Sequence, residues 1–343
     1  MATSRDVAHR AGVSQSTVSR ALSGHPGVTE EIRRRVQAAA RDLAYVPNAA
    51  ARAMRTSRSG NIGVVTARLH NPIYPEMLQL LGRELRQAGL RMIVWNSDET
   101  DEGAAADAAR QGMVDGIIFT SATQASTALY EEIAQRLPVV LVNRTVEGWP
   151  CDQVESDNHA GGRIVAAYFR DAGRRRIGLL SGPLLPSTIR NRETGFLEGC
   201  GGGPAPATVR VDAFTYAAGA TGMQRLLALA DRPDAVFCAN DVLALGARDA
   251  ARAAGIAVPG AVWIVGYDDI AMASWTAFDL TTVRQPIEAM VQHAVRLLRA
   301  RMAGIAAAPQ RLSLPAALVV RASTGRLPPS AAADADRLLI ASK

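Results

Sequence analysis

Two rhythms of hydrophobic and polar residues divide this chain of 343 residues. The first 45 or so residues carry short bursts of apolar positions at helical spacing, separated by turn residues. Ser4–Leu22 reads as two short helices crossing steeply. Ala8 is small where the second helix passes close, and Gly12 can take the positive φ of a sharp turn. Val13 and Val18 supply a shared apolar contact, and Ser14 suits the N-cap of the second helix. After the break Gly24-His-Pro-Gly27, Thr29 caps a third helix whose first turn holds Glu30 and Glu31, where the helix dipole favours acids. Ile32, Val36, Ala39 and Leu43 recur along one face of it, which leaves Arg33, Arg34 and Arg41 outward.

From Asn61 the pattern changes to short apolar runs alternating with helical stretches. Strands are expected at 62–66, 92–96, 116–120, 139–143, 176–181, 209–212, 235–239 and 262–267, with helices such as 76–88, 104–111, 159–172 and 241–254 between them. This alternation predicts an α/β fold of parallel sheets covered by helices on both faces. The rhythm restarts near Asn158, so two doubly wound α/β subdomains with a cleft between them are expected. Ligands in such sheets sit at the carboxyl ends of the strands. No heptad run, short repeat or low-complexity tract stands out beyond the glycines at 201–203.

Charge sharpens the division. Residues 1–60 hold ten arginines against Asp6, Glu30, Glu31 and Asp42, a balance of +6 that equals the net charge of the whole chain. A basic head on a neutral body suits one module that meets a polyanion and another that meets something else. Lys343 is the only lysine, which removes a Walker-type, Schiff-base or general-base lysine. His9, His25, His70, His159 and His293, with Cys151, Cys200 and Cys238, show no metal-ligand spacing. Neither a cofactor motif nor a nucleophile–base pair is visible, so the reading is not an enzyme. The odd cysteine count, the absence of a signal-peptide pattern, and the absence of an apolar run near the roughly 20 residues of a membrane span suggest a cytoplasmic home.

Two runs carry a specific resemblance: Asp6-Val-Ala-x-x-Ala-Gly-Val-Ser-x-x-Thr-Val-Ser-Arg20 and Leu43-x-Tyr-x-Pro-Asn48-x-x-Ala-Arg52. They resemble the head and hinge of the LacI/GalR family of bacterial transcription regulators. The resemblance implies a recognition helix over residues 15–22 lying in the DNA major groove. Gln15, Ser16, Ser19 and Arg20 are its candidate readers; Arg20 suits guanine or, alternatively, a phosphate, and Gln15 suits adenine. Asn48–Thr56 is alanine-rich and too short to be a stable lone helix, so it is expected to order only on DNA. The family implies that this hinge enters the minor groove, with Asn48, Arg52 and Met54 as contacts. Met54 stands as the apolar wedge where the family usually has leucine.

The body resembles the same family's sensor domain, itself similar to periplasmic sugar-binding proteins. The landmarks are Asn71-Pro-x-Tyr74, Val114-Asp-Gly-Ile-Ile118, Val139-Val-Leu-Val-Asn-Arg144, Asp157-Asn158, Arg192-x-x-Gly-Phe196, Asn240-Asp-x-x-Ala-x-Gly246, Val265-Gly-Tyr-Asp268 and Leu280-Thr-Thr-Val-x-Gln-Pro286. The resemblance implies effector contacts at Tyr74, Arg192, Phe214 and Asp268, with Asn143 and Asn240 as further polar contacts. Arg192 would fork onto hydroxyls or a carboxylate, and Asp268 would accept from hydroxyls; alternatively the two pair with each other. Asp241 reads as a helix N-cap, and Arg68, His70 and Arg190 as solvated loop cations outside the site. The Gly- and Pro-rich stretch after Phe196 departs from the family, predicts a short or frayed helix there and blurs the placement of Phe214. Phe278 also replaces a usual proline.

The expected organisation is a helix-turn-helix head over 1–46, a hinge and linker over 47–59, an effector-binding and dimerisation domain over 60–325 and a disordered tail over 326–343. Its function would be that of a sequence-specific transcriptional regulator, a repressor by preference. Its partners would be palindromic operator DNA, a second copy of the chain, and a sugar or sugar-derived acid in the cleft. The alternatives are a solute-binding protein with no DNA role and a regulator using a non-sugar co-repressor such as a purine.

Overall fold

The computed structural model describes residues 2–46, 58–97, 103–305 and 307–325. It divides into two compact units, Met1–Gly60 and Asn61–Lys343.

In the first unit Thr3 opens α1 (Ser4–Ala11). Its hydroxyl accepts from the Asp6 N–H at 3.4 Å, while the Asp6 carboxylate accepts from the Thr3 N–H at 2.8 Å. This capping box satisfies two donors that the first turn would otherwise leave open. Gly12 ends α1 at φ 62°, a left-handed turn that a Cβ would oppose. Ser14 then caps α2 (Gln15–Leu22) through the Thr17 N–H at 3.1 Å, and Thr29 caps α3 (Glu30–Asp42) through the Ile32 N–H at 3.4 Å. Helices of eight residues do not stand alone in water. These are held by a shared core that includes Val7, Ala8, Val18, Ala21, Val36 and Ala39. Arg33 does not point outward as its helical position suggests. It turns back to donate to the His25 carbonyl at 3.2 Å and the Val28 carbonyl at 3.4 Å. Arg35 likewise donates to the terminal carbonyl of α1, Ala11, at 2.7 Å.

The second unit begins with β1 (Asn61–Thr66), α4 (Ile73–Gln87), β2 (Arg91–Asn96), α5 (Gly103–Arg110), β3 (Ile117–Phe119), α6 (Thr127–Ala134), β4 (Val139–Val142) and β5 (Asp152–Ser156). It continues with α7 (Asn158–Asp171), β6 (Ile177–Ser181), α8 (Ser187–Cys200), β7 (Ala207–Arg210), α9 (Tyr216–Leu227), β8 (Ala235–Cys238), α10 (Asp241–Ala253), β9 (Trp263–Asp268) and β10 (Thr281–Arg284). Then follow α11 (Ile287–Met302), β11 (Arg311–Leu314) and β12 (Ala317–Val319). Two six-stranded sheets result, ordered β11-β5-β4-β3-β1-β2 and β12-β10-β9-β8-β6-β7. Every pairing is parallel except that of β12 with β10.

The chain returns to the first sheet after completing most of the second. α11 packs Met290, Val291, Ala294 and Leu298 against Ile62, Met77 and Leu81, and β11 then pairs with β5. Three connections therefore join the halves, at 157, 285–286 and 315–316, where the restart near Asn158 alone suggested one.

Strand β5 escapes hydropathy because it reads Asp-Gln-Val-Glu-Ser, yet all five residues are buried. Its three longer polar side chains are matched internally, while the Ser156 hydroxyl is buried without a hydrogen-bond partner among the described residues. Asp152 takes a forked pair from Arg301 at 2.7 and 2.9 Å, the Gln153 amide bonds Val146, and Glu155 pairs with Arg311 at 3.2 Å. Strand β7 runs two residues earlier than expected, over Ala207–Arg210. Helix α8 is not shortened: it runs to Cys200 and stops at Gly201, anchored by the fully buried Phe196.

Helices that carry cleft residues are placed by glycine. A Cβ on Gly162 of α7 would lie 2.2 Å from the Arg192 carbonyl, and one on Gly195 of α8 would lie 2.0 Å from the His159 carbonyl. Gly219 and Gly246 bring α9 and α10 together in the same way, at 2.3 Å from Leu243 and 2.0 Å from Tyr216. Asn240, rather than Asp241, caps α10, its side chain accepting from the Leu243 N–H at 2.9 Å. Asp241 instead ties three elements together. Its carboxyl accepts from the Thr282 hydroxyl at 2.5 Å and the Ile270 N–H at 2.9 Å, wholly buried. Burial, with Asp268 nearby, pushes its pKa well above the usual carboxylate range, against the lowering effect of those two hydrogen bonds.

Two outcomes follow from this packing. Gly195→Ala should cost about 1–3 kcal/mol, since neither helix backbone can yield cheaply, read as a lower denaturant midpoint with an unchanged m-value. A carboxyl whose pKa rises on folding takes up a proton on folding, so stability falls as pH rises through the native pKa. Asp241→Asn keeps the shape without that cost. Its melting temperature should exceed the parent's at about pH 8 and converge with it near the ordinary carboxylate pKa. A variant that melts lower at the higher pH would show that an ionised carboxylate is stabilising here.

Candidate ligand cleft and nucleic-acid interface

Because the strands of each sheet run parallel, the segments leaving their carboxyl ends gather on one side. In the second unit these segments line a cleft. The loop after β1 gives Arg68, His70 and Asn71, α4 gives Tyr74, and the end of β4 gives Asn143 and Arg144. Opposite them stand Thr188 and Arg192 of α8, Phe214, Asn240, Asp268 at the end of β9, and Gln285 after β10. The volume open to the centre of a water molecule is about 30 Å³, so the walls are nearly closed on one another.

Arg192 is held on every side. Its Nε donates to Asn158 Oδ1 at 2.8 Å, one terminal nitrogen to the Ala239 carbonyl at 2.8 Å, and the other to Asp268 Oδ1 at 3.0 Å. The Tyr267 ring lies under the guanidinium, 3.7 Å from its centroid. Asp268 also accepts from Gln285 Nε2 at 2.7 Å. Its backbone sits at φ 120°, a conformation that non-glycine residues adopt only when their surroundings force it. Burial raises the Asp268 pKa, and the Arg192 charge with the Gln285 amide opposes the rise. Arg192 and Asp268 thus pair with each other, at the same time as they face the cleft.

Tyr74 is buried, and its hydroxyl accepts from Arg144 at 2.5 Å. Asn143 sits at φ 79° and donates to the Thr120 carbonyl at 3.1 Å. Phe214 lies against the Gly182 backbone, where a Cβ would meet its ring at 2.4 Å, and the Arg68 guanidinium stands 5.5 Å from the ring centroid. All six residues singled out in sequence line this one cleft. Arg68 and His70, set aside there as solvated loop cations, line it too; Arg190 does not, and donates to the Leu184 and Leu185 carbonyls at 2.9 and 2.6 Å. Arg144 and Gln285 were missed as site residues although both fall inside motifs already noted. A charged or amide residue just past a strand end was the available signal.

In the first unit, α2 presents Gln15, Ser16 and Arg20 to solvent, with Ser19 half-buried. Gln15 Nε2 donates to Ser4 Oγ at 2.6 Å, which ties its amide to the start of α1, and the Ser16 and Ser14 hydroxyls bond at 2.8 Å. Arg20 makes no ion pair with a described residue, whereas Arg10, Arg33 and Arg34 each face an acid. Asn48, Arg52 and Met54 lie outside the described residues, as does the tail 326–343.

The family description "Bacterial regulatory proteins, lacI family" matches residues 3–48, and "Periplasmic binding protein-like domain" matches residues 166–324. The HTH-type transcriptional regulator MalR of Streptomyces coelicolor is 34% identical, over 94% of this chain and 96% of its own. The ribose operon repressor of Escherichia coli is 32% identical, over 94% of this chain and 100% of its own. Among solved structures, a lac repressor dimer bound to operator and the anti-inducer ONPF shares 27% identity at a TM-score of 0.82, covering 95% of this chain and 99% of that one. A solute-binding protein without a DNA role would lack the matched head. Head, sensor body and relatives matched over nearly their full length agree: this chain belongs to the lacI family of bacterial regulatory proteins and is a DNA-binding transcriptional regulator.

Proposed function

We propose that this regulator is a repressor that binds a palindromic operator as a homodimer, and that a small carbohydrate in the cleft sets its operator affinity. The observation that carries the cleft half of this reading is the buried Arg192–Asp268 pair with Gln285, which offers donors and acceptors to adjacent hydroxyls. The ribose operon repressor and the operator-bound lac repressor dimer support the operator and the dimer by similarity. A single eight-residue helix reads too few bases to be specific, and a two-fold protein matches a two-fold site.

On this reading Gln15, Ser16, Ser19 and Arg20 face base edges and phosphates. Asn48, Arg52 and Met54 act in the hinge, with Met54 as a minor-groove wedge. The head is 1–46, the hinge 47–59 and the sensor 60–325. Ligand that prefers one spacing of the two subdomains shifts the population of hinge-ordered dimers, and a preference of a few kcal/mol suffices. Whether it releases or tightens DNA follows from which spacing it prefers. The same reading makes the chain a regulator without catalytic activity that works where the chromosome is. Among the described residues no helix is long and apolar enough to cross a membrane.

Selection of DNA from a random pool with the full-length protein should enrich a palindrome. Arg20→Ala should weaken binding to it by about 1–3 kcal/mol per half-site and relax preference at one base. Uniform weakening across sequences would make Arg20 a phosphate contact. Arg192→Ala should leave operator binding in place while removing the response to ligand; loss of DNA binding in that variant would contradict the separation of roles.

A further inference from the structure

The cleft is more cationic than a neutral sugar requires. Among the described residues that line it, Arg144 and Arg192 stand against the carboxylate of Asp268, and Asp268 is already matched to Arg192 at 3.0 Å.

Arg144 decides the matter. It and Arg192 are the two fully buried arginines among the described residues, at 4% and 3% exposure. Arg192 has a carboxylate; Arg144 has none within ion-pairing distance among the described residues. Its terminal nitrogens donate to the Ser121 carbonyl at 2.7 Å and the Tyr74 hydroxyl at 2.5 Å. Its Nε is buried without any partner. A guanidinium cannot escape this cost by losing its proton, and a buried charge without a counter-ion is tolerated only where something repays it.

The opposite wall holds a complementary vacancy in hydrogen bonding. Gln285 gives its amide N–H to Asp268, and its Oε1 is buried with no partner. That oxygen asks for a donor, as a hydroxyl supplies. The cleft thus offers a cation at one end and hydroxyl partners at the other, with the Tyr74 and Phe214 rings among its walls.

We propose that the effector is an anionic sugar whose acidic group is received by Arg144 and whose hydroxyls meet Arg192, Asp268 and Gln285. This rests on the reading of the cleft as the effector site. A carboxylate matches the planar fork of the guanidinium through two oxygens; a phosphate ester would satisfy the same charge.

The test is calorimetric titration of the full-length protein with gluco- and galacto-configured uronates and aldonates, the corresponding neutral sugars, and hexose 6-phosphates. At least one anion should bind more tightly than its neutral counterpart. Arg144→Met should weaken that anion by roughly 10- to 150-fold, as expected for a charge-assisted hydrogen bond, while changing any neutral sugar little. Arg144→Lys, which keeps the charge and loses the fork, should fall between them and serves as the comparison if Arg144→Met does not fold. Preference for the 6-phosphates with the same Arg144 dependence would assign the anion as phosphate. Neutral sugars binding as tightly as acids, anion binding that survives Arg144→Met, or no anion binding at millimolar concentration would each overturn the proposal. A ligand whose affinity is indifferent to Arg192→Ala would instead overturn the cleft as the site, whatever its charge.

Discussion

The sensor body is organised around one buried guanidinium. Arg192 rises from α8 and is bonded to the first residue of α7, to the carbonyl just past β8, and to the aspartate that ends β9, with the Tyr267 ring beneath it. Through Asp268 it also reaches Gln285 in the connection after β10. A charge so far from solvent is stable only when its partners are all present, so these segments hold one another in place. The backbone strain at Asp268 is part of the same arrangement, since the left-handed turn points its carboxylate at Arg192.

Glycine makes that arrangement reachable. The α7–α8 and α9–α10 pairs approach until backbone meets backbone, which brings Asn158, Arg192 and Asn240 to one place. Three connections join the two sheets, at 157, 285–286 and 315–316, and Gln285 in the second of them lines the cleft. Pockets that hold small ligands usually enclose roughly 300 Å³ or more, against the 30 Å³ open here. A ligand that prefers a wider spacing of the subdomains would carry the energy with which an effector shifts a population.

Much of this was legible in the residues, for identifiable reasons. The caps at Thr29 and Ser14, the turn at Gly12 and the helical spacing of Val36 and Ala39 are local signals, and each appears where it was read. The six cleft residues came from the family resemblance: Asn143, Asn240 and Asp268 stand at or just past strand ends, whereas Tyr74 and Arg192 sit in helices. What escaped was non-local. Strand β5 is polar because its partners, Arg301 and Arg311, come from the far end of the chain. Arg33 turns inward to close a turn eight residues away, which helical periodicity cannot show. Asp241 resembles a cap in sequence, but Asn240 takes that bond and frees Asp241 for the core. Arg144 was overlooked because only its surroundings reveal that no carboxylate of a described residue pairs with it.

The most direct measurement is a double-mutant cycle on the central pair, using equilibrium unfolding of the parent, Arg192→Met, Asp268→Asn and the double variant. If the guanidinium and carboxylate hold the strand ends together, the coupling energy should be about 2–3 kcal/mol, near the top of the range for residues in contact. The double variant should then lose less stability than the sum of the two single losses, by that coupling energy. A coupling below about 0.5 kcal/mol, the scatter of independent sites, would mean that the sheets are positioned without this pair and that Arg192 is only one cleft residue among several.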